Sequence, residues 1–194
     1  LPSHPPIECL FTVAEETGLD GAMALEPGFI TGKVLINLDS EDEGEIFVGC
    51  AGGLDTTAEF HYKDEPLQED FVMETVFVKD AMGGHSGDDI NKGRANAVQL
   101  LGRFLYSIID LDWQLITING GNKRNAIARE AKALIAAEPD TLDIINERLE
   151  AYAEDVAEEY GAIEKELKVG YAEYEGECTT AIDEMTAWNL VTAL

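Results

Sequence analysis

Phe71-Val72-Met73-Glu74-Thr75-Val76-Phe77-Val78-Lys79 is dense in Val, Phe and Thr, residues that favour a pleated, half-buried strand, and everything downstream is phrased against it. After it, Gly83-Gly84-His85-Ser86-Gly87 makes a loop. From Asn91 to Ile109, Ala95, Val98, Leu101, Leu105 and Ile108 recur at spacings of three and four, which predicts an amphipathic helix. Gln114–Asn119 reads as a strand, and Asn119-Gly120-Gly121-Asn122 as a turn. The alanines of Ala126–Ala137 favour helix, whereas the turn before them suggests the second arm of a hairpin. Beyond Pro139, Asp140 is placed to cap a helix with Leu142, Ile145, Leu149, Tyr152, Val156 and Tyr160 as its apolar stripe. Acids crowd its other face, a solvated surface. Leu167–Tyr174 alternates as a strand, and Thr180–Leu194 reads as another helix. With 126–137 taken as a strand, the order is strand, helix, strand, strand, helix, strand. That is the ferredoxin-like βαββαβ pattern, an α+β unit with an antiparallel sheet and both helices on one face.

Working back toward the N-terminus, the pattern is different. Ile7–Val13, Val34–Leu38 and Glu45–Val48 read as strands with a short helix or turn at Gly18–Leu25, a piece of an α/β sheet. Phe11-Thr12-Val13 leads to Glu15 and Glu16, and Lys33–Leu38 leads to Asp39. Open α/β sheets gather ligands at the C-terminal ends of their strands. Three carboxylates brought to one edge repel each other, so a cation is their natural companion. The plain alternative is that they are ordinary loop acids. An EF-hand is excluded: Asp39, Glu41, Glu43 and Gly44 fit its early positions, but Cys50 stands where the bidentate Glu must be. Cys50-Ala51-Gly52-Gly53 is a small, flexible hinge dividing residues 1–53 from 54–194, with Thr56–Tyr62 expected as a strand leading out of it.

The chain of 194 residues carries 39 acidic against 13 basic side chains, a net charge of −26 and a pI near 4.1. Such a surface repels phosphate backbones and anionic lipid, which argues against nucleic-acid and membrane partners. No apolar run approaches the ~20 residues that span a bilayer. Cys9, Cys50 and Cys178 are odd in number and widely spaced, which argues against a disulfide framework and points to the cytoplasm. Cys9 reads as a core residue, and Cys50, although near the acidic turn, reads as a buried hydrophobe before a metal ligand.

Thr12-Val13-Ala14-Glu15-Glu16-Thr17-Gly18-Leu19-Asp20-Gly21-Ala22, Leu38–Glu45 and Gly49-Cys50-Ala51-Gly52-Gly53 follow one another in this order. Gly83–Ile90 running on to Gly93-Arg94-Ala95-Asn96, and Asn119–Asn122 with Arg124-Asn125-Ala126-Ile127, come after them. In order and spacing this set resembles the aminoacyl-histidine (Xaa-His) dipeptidases, the carnosinase-like branch of the two-zinc metallopeptidases. The resemblance implies a fragment of the catalytic α/β domain in 1–53, followed in 54–194 by a ferredoxin-like lid or dimerisation domain. It also favours the strand reading of 126–137.

It further implies a cytoplasmic enzyme that hydrolyses Xaa-His dipeptides with water activated by two zinc ions, cobalt or manganese being possible substitutes. Carried over, Glu15 is the general base, and Glu16 and Asp39 are metal ligands. His85 reaches across a homodimer formed through the lid to stabilise the developing oxyanion, and Asn125 contacts the dipeptide substrate. Ala14 stands where the family often has Asp, a position that is not a ligand. By itself a His in a Gly-rich loop reads as structural; the intact motif favours function. Arg94, Arg124 and Arg129 are candidate partners for the substrate carboxylate, with surface ion pairing as the plain reading of each. His4 and His61 lack supporting pattern. The family's His-x-Asp pair, bridging Asp and last His ligand have no counterparts in these residues, so the chain is expected to be an internal fragment, inactive alone. A related deacylase or amidohydrolase, and a non-enzymatic dimerisation module, are the rival readings.

Overall fold

The computed structural model describes residues 3–39, 43–50, 52, 54 and 56–194, with the backbone alone for Glu16 and Thr17. Ser40 and Glu41 of the expected acidic turn Asp39-Ser40-Glu41 lie outside the described residues, as do residue 42 and hinge residues 51 and 53. The chain divides into two compact units, Leu1–Thr56 and Thr57–Leu194.

Two four-residue helices, α1 (Glu15–Gly18) and α2 (Asp20–Met23), are the regular elements of the first unit's described residues. Gly21 donates its N–H to the Val13 carbonyl at 3.0 Å, and a Cβ at Gly21 would collide with the Val13 backbone. Glu8 holds a second turn: the Thr31 N–H donates to it at 2.8 Å, the Gly32 N–H at 3.2 Å, and the Thr31 hydroxyl as well. These bonds, the hydroxyl's first, hold the Glu8 carboxyl below the usual carboxylate range. The segments expected as strands, Ile7–Val13, Val34–Leu38 and Glu45–Val48, form no ladder among the described residues. A strand exists through hydrogen bonds to a neighbour, and none of these segments pairs with another. Their apolar side chains stay exposed, Val34 at 84% and Val48 at 99%.

In the second unit, β1 (Asp64–Pro66) is followed by β2 (Val72–Lys79), β3 (Gly84–His85) and a 3-10 turn at Ile90–Lys92. Then come α3 (Ala97–Ser107), β4 (Gln114–Gly120), β5 (Ala126–Ile127), β6 (Ala131–Ala137), α4 (Pro139–Tyr160), β7 (Lys168–Glu173), β8 (Thr180–Ile182) and α5 (Glu184–Ala193). The main sheet has the order β4-β6-β2-β7, every pair antiparallel. With α3 joining β2 to β4 and α4 joining β6 to β7, this is the ferredoxin-like arrangement read from the sequence.

Alternation along β2 sorts its side chains. Glu74, Val76 and Val78 are buried, and Met73, Thr75 and Phe77 between them are half-buried. The Val76 face packs against Leu100, Leu101 and Phe104 of α3 and Ile145 and Leu149 of α4. Each such fully buried large side chain contributes about 1.5–3 kcal/mol relative to exposure. The other face is covered at one end, where Ile116, Leu134 and Ala136 meet Ala181 of β8. Central strand β6 is buried almost throughout, so its alanines serve as small residues between two covered faces rather than as helix formers.

The expected strand 126–137 is two strands, β5 paired with β3 and β6 in the main sheet, and four further boundaries differ from expectation. Thr56–Tyr62 is not a strand; β1 begins at Asp64 and pairs with β8, Glu65 opposite Ala181. Residues 180–182 are therefore strand, and the last helix starts at Glu184, where Asp183 caps it by accepting from the Thr186 N–H at 3.1 Å. α3 starts at Ala97, because the Asn96 side chain takes the Val98 N–H at 3.0 Å and stops the helix from running back to Asn91. α4 starts at Pro139, with Glu138 as the flanking residue and Asp140 in the first turn instead of at the cap. Proline has no N–H to leave unpaired there, so it opens the helix.

Glu74 sits beneath α4 at 6% exposure, and the Asn146 Nδ2 donates to its Oε2 at 3.2 Å. Burial raises the Glu74 carboxyl above its ordinary range, opposed by the Asn146 bond and reinforced by Glu173 and Asp143.

Candidate functional site

His85 lies on β3, which pairs antiparallel with β5 so that His85 faces Ala126 and Gly84 faces Ile127. The Ser86 N–H donates to the Asn125 carbonyl at 2.9 Å. The ribbon thus brings His85 and Asn125 together, though 40 positions separate their numbers.

The imidazole is oriented by its own loop. Its Nδ1 accepts the Gly87 N–H at 3.1 Å and the Asp88 N–H at 3.2 Å. An Nδ1 that accepts leaves the hydrogen on Nε2, so the ring keeps an N–H donor there. The side chain is 52% exposed, open to a ligand. A half-exposed ring whose Nε2–H is left as a donor suits stabilisation of a negatively charged oxygen.

Asp89 is the centre of the loop. Its Oδ2 accepts the His85 N–H at 2.7 Å and Arg94 at 3.0 Å, and its Oδ1 accepts Lys92 at 2.6 Å. Lys92 first, and then the His85 N–H, hold the Asp89 carboxyl below the usual range. Arg94 also donates to the Gly83 carbonyl at 2.6 Å. Gly84 has φ +153° and no room for a side chain: a Cβ would overlap Arg94 and Asp89. Arg129 donates to the Ala81 carbonyl at 3.0 Å. Arg94 and Arg129, candidates for a substrate carboxylate in the sequence, hold backbone here.

Glu164 is the second buried acid. Its Oε2 accepts the Met82 N–H at 2.7 Å, and its Oε1 the Ala95 N–H at 2.9 Å. Sequence reading missed both Asp89 and Glu164. Asp89 stood inside a quoted motif, four residues from His85. Glu164 stood among helix-end acids, and no local signal marked it.

The carboxylates of the first unit are placed less fully. Glu15 opens α1 and is exposed. Glu16 follows it on the same turn, its side chain outside the described residues. Asp39 is exposed, and its N–H donates to Asn37 Oδ1 at 3.0 Å. Among the described residues no group of three His, Cys, Asp or Glu side chains could hold a metal ion. Two carboxylates do not complete a four-ligand zinc site, so the residues described do not by themselves fit one. Among the described residues no helix is long and apolar enough to cross a membrane.

Residues 78–163, from the last two residues of β2 through α4 and including the whole His85 loop, match the peptidase dimerisation domain of the M20 family. Over this stretch the chain is similar to an M20 peptidase dimerisation domain. Across 165 residues, 84% of the chain, it is 44% identical to the cytosol non-specific dipeptidase of Escherichia coli (strain K12), of which it covers 34%. It also resembles the crystal structure of aminoacylhistidine dipeptidase from Vibrio alginolyticus, with a TM-score of 0.74 and 34% identity. That likeness covers 94% of this chain and 37% of the other. The chain therefore spans about a third of the length of these relatives. The matched residues include His85, Asn125 and Asp89, and Glu164 lies one residue beyond them.

Proposed function

We propose that this chain is part of a metal-dependent dipeptidase of the M20 family, with the His85 loop serving as an electrostatic element of its active site. The observation that carries this reading is the half-exposed His85 imidazole, whose Nδ1 is taken by the Gly87 and Asp88 N–H groups so that Nε2–H is left as a donor. A dipeptide's scissile carbonyl gains negative charge as water adds to it, and a preset donor stabilises that charge. Glu15 is assigned the role of general base, Glu16 and Asp39 are assigned metal ligands, and Asn125, joined to the His85 loop, is assigned a substrate contact. The cation of the reading is zinc, two per complete site, with cobalt or manganese as alternatives, and the remaining ligands come from outside these residues. The substrate class is Xaa-His dipeptides, named from the relative in Vibrio alginolyticus. The broader word non-specific in the Escherichia coli relative's name makes other dipeptides its nearest competitors. The lid, residues 54–194 with 1–53 as catalytic portion, is assigned to homodimer formation, and the cytoplasm is assigned as its compartment.

Two assays test the reading. A full-length enzyme containing these residues is expected to release histidine from a histidine dipeptide faster than it cleaves an N-acyl amino acid. The reverse preference would favour a deacylase and sink the dipeptidase. Sedimentation of residues 54–194 is expected to show a concentration-dependent dimer. A strict monomer would remove any role for His85 across an interface.

A further inference from the structure

We propose that Glu164 is the positioning residue of the His85 loop. One carboxylate, 6% exposed, takes the Met82 N–H on one oxygen and the Ala95 N–H on the other. Those two amides flank Gly83–Arg94, the segment that carries His85, so Glu164 closes it at both ends. Within the closed segment, Arg94 reaches back to the Gly83 carbonyl, and Asp89 takes the His85 N–H. One peptide step from each amide that Glu164 holds, Gly83 and Arg94 bond to each other, Arg94 bonds on to Asp89 and Asp89 to the His85 N–H, while the Gly87 and Asp88 amides hold the ring. Bonds from an N–H to a carboxylate are among the stronger ones available, and shared between two amides they fix the separation of the loop ends. Asp89 organises the loop internally; Glu164, which follows α4, attaches it to the domain core. Neither the family match nor the relatives' names assign this residue.

The proposal rests on the reading of His85 as a donor to substrate, but its test does not use turnover. Glu164→Gln keeps one acceptor and turns an NH2 donor toward the other amide, so the loop is held at one end only. Imidazole nitrogen NMR of the 194-residue chain is expected to show His85 as the single Nε2–H tautomer. In Glu164→Gln both tautomers appear, and hydrogen exchange at Met82 or Ala95 rises at least tenfold. Val156→Ala, a core change of comparable loss in thermal midpoint, is the control and leaves the His85 signals unmoved. If Glu164→Gln does not fold, Glu164→Asp takes its place. That side chain keeps the charge but is one methylene too short to hold both amides, and the same mixing is expected. An unchanged His85 tautomer in the folded variant overturns the proposal, as does equal mixing in Val156→Ala. Failure of dipeptide hydrolysis with a responsive His85 would instead sink the catalytic reading and leave Glu164 in its place.

Discussion

Glu74 and Asn146 share one hydrogen bond under α4, and each is left with a buried oxygen, Oε1 and Oδ1, that has no partner. Both atoms are acceptors, and a proton on Glu74 would turn one of its oxygens into a donor. An unsatisfied buried acceptor costs about 1–3 kcal/mol, which favours the protonated carboxyl over the ionised one. Burial raises its pKa, and Glu173 and Asp143 act in the same direction. The sign follows from linkage. A pKa raised on folding gives stability that is full below the unfolded carboxyl value and is lost as pH rises through the native one. Urea unfolding midpoints of the wild-type chain are therefore expected to fall, from the ordinary carboxylate range upward, more than those of Glu74→Gln. Parallel pH profiles would show that Glu74 is ionised in the native state.

Gly84 makes a sharper steric prediction. At φ +153° an L side chain is strained, and its Cβ would overlap the Arg94 and Asp89 side chains that organise the loop. Gly84→Ala is expected to cost about 1–3 kcal/mol of stability from backbone strain, with the displaced Arg94 adding to it. Denaturant unfolding checks the loss, and the His85 nitrogen signals report whether the loop moved with it. A neutral substitution would mean that the loop relaxes freely around Gly84.

Acid should loosen the same loop from the other side. Asp89 has its pKa lowered by Lys92 and the His85 N–H, so its stabilisation is complete above the unfolded carboxyl value and lost as pH falls through the native one. Faster amide exchange at His85 is expected only below the usual carboxylate range. Asp89→Asn is expected to show it already at neutral pH. Exchange at His85 that ignores both acid and the substitution would remove Asp89 from the loop's support.

The ferredoxin-like order was legible because each element advertised itself locally. Val76 and Val78 alternate with polar or half-buried neighbours, and Leu142, Ile145 and Leu149 repeat at helical spacing. The strand Ala131–Ala137 was the ambiguous case, since alanine favours helix, and its true determinant is position: a central strand covered on both faces needs small side chains. Residues 180–182 were misread as helix because their partner Asp64–Pro66 lies more than a hundred positions away, and strand pairing leaves no local trace. For the same reason the expected strands of the first unit failed among the described residues: apolar β-branched runs supply propensity, not neighbours. In the candidate site, His85 and Asn125 stood in recognisable motifs. Glu164 did not, because it acts on amides 69 and 82 positions distant.

Metal binding separates a complete site from a partial one. Zinc held tightly by protein takes three or four ligands, and here Glu16 and Asp39 are the carboxylates assigned to it, with no group of three donors among the described residues. Calorimetric titration of the 194-residue chain with zinc is therefore expected to show weak binding, little altered by Glu16→Ala. Carboxylates scattered over a surface of net charge −26 attract divalent cations diffusely, so the informative quantity is the difference between the two chains, not the heat of either. Tight uptake of two ions by the wild type, abolished by Glu16→Ala, would mean that these residues complete the site themselves. The assignment of the remaining ligands to residues outside this chain would then be wrong.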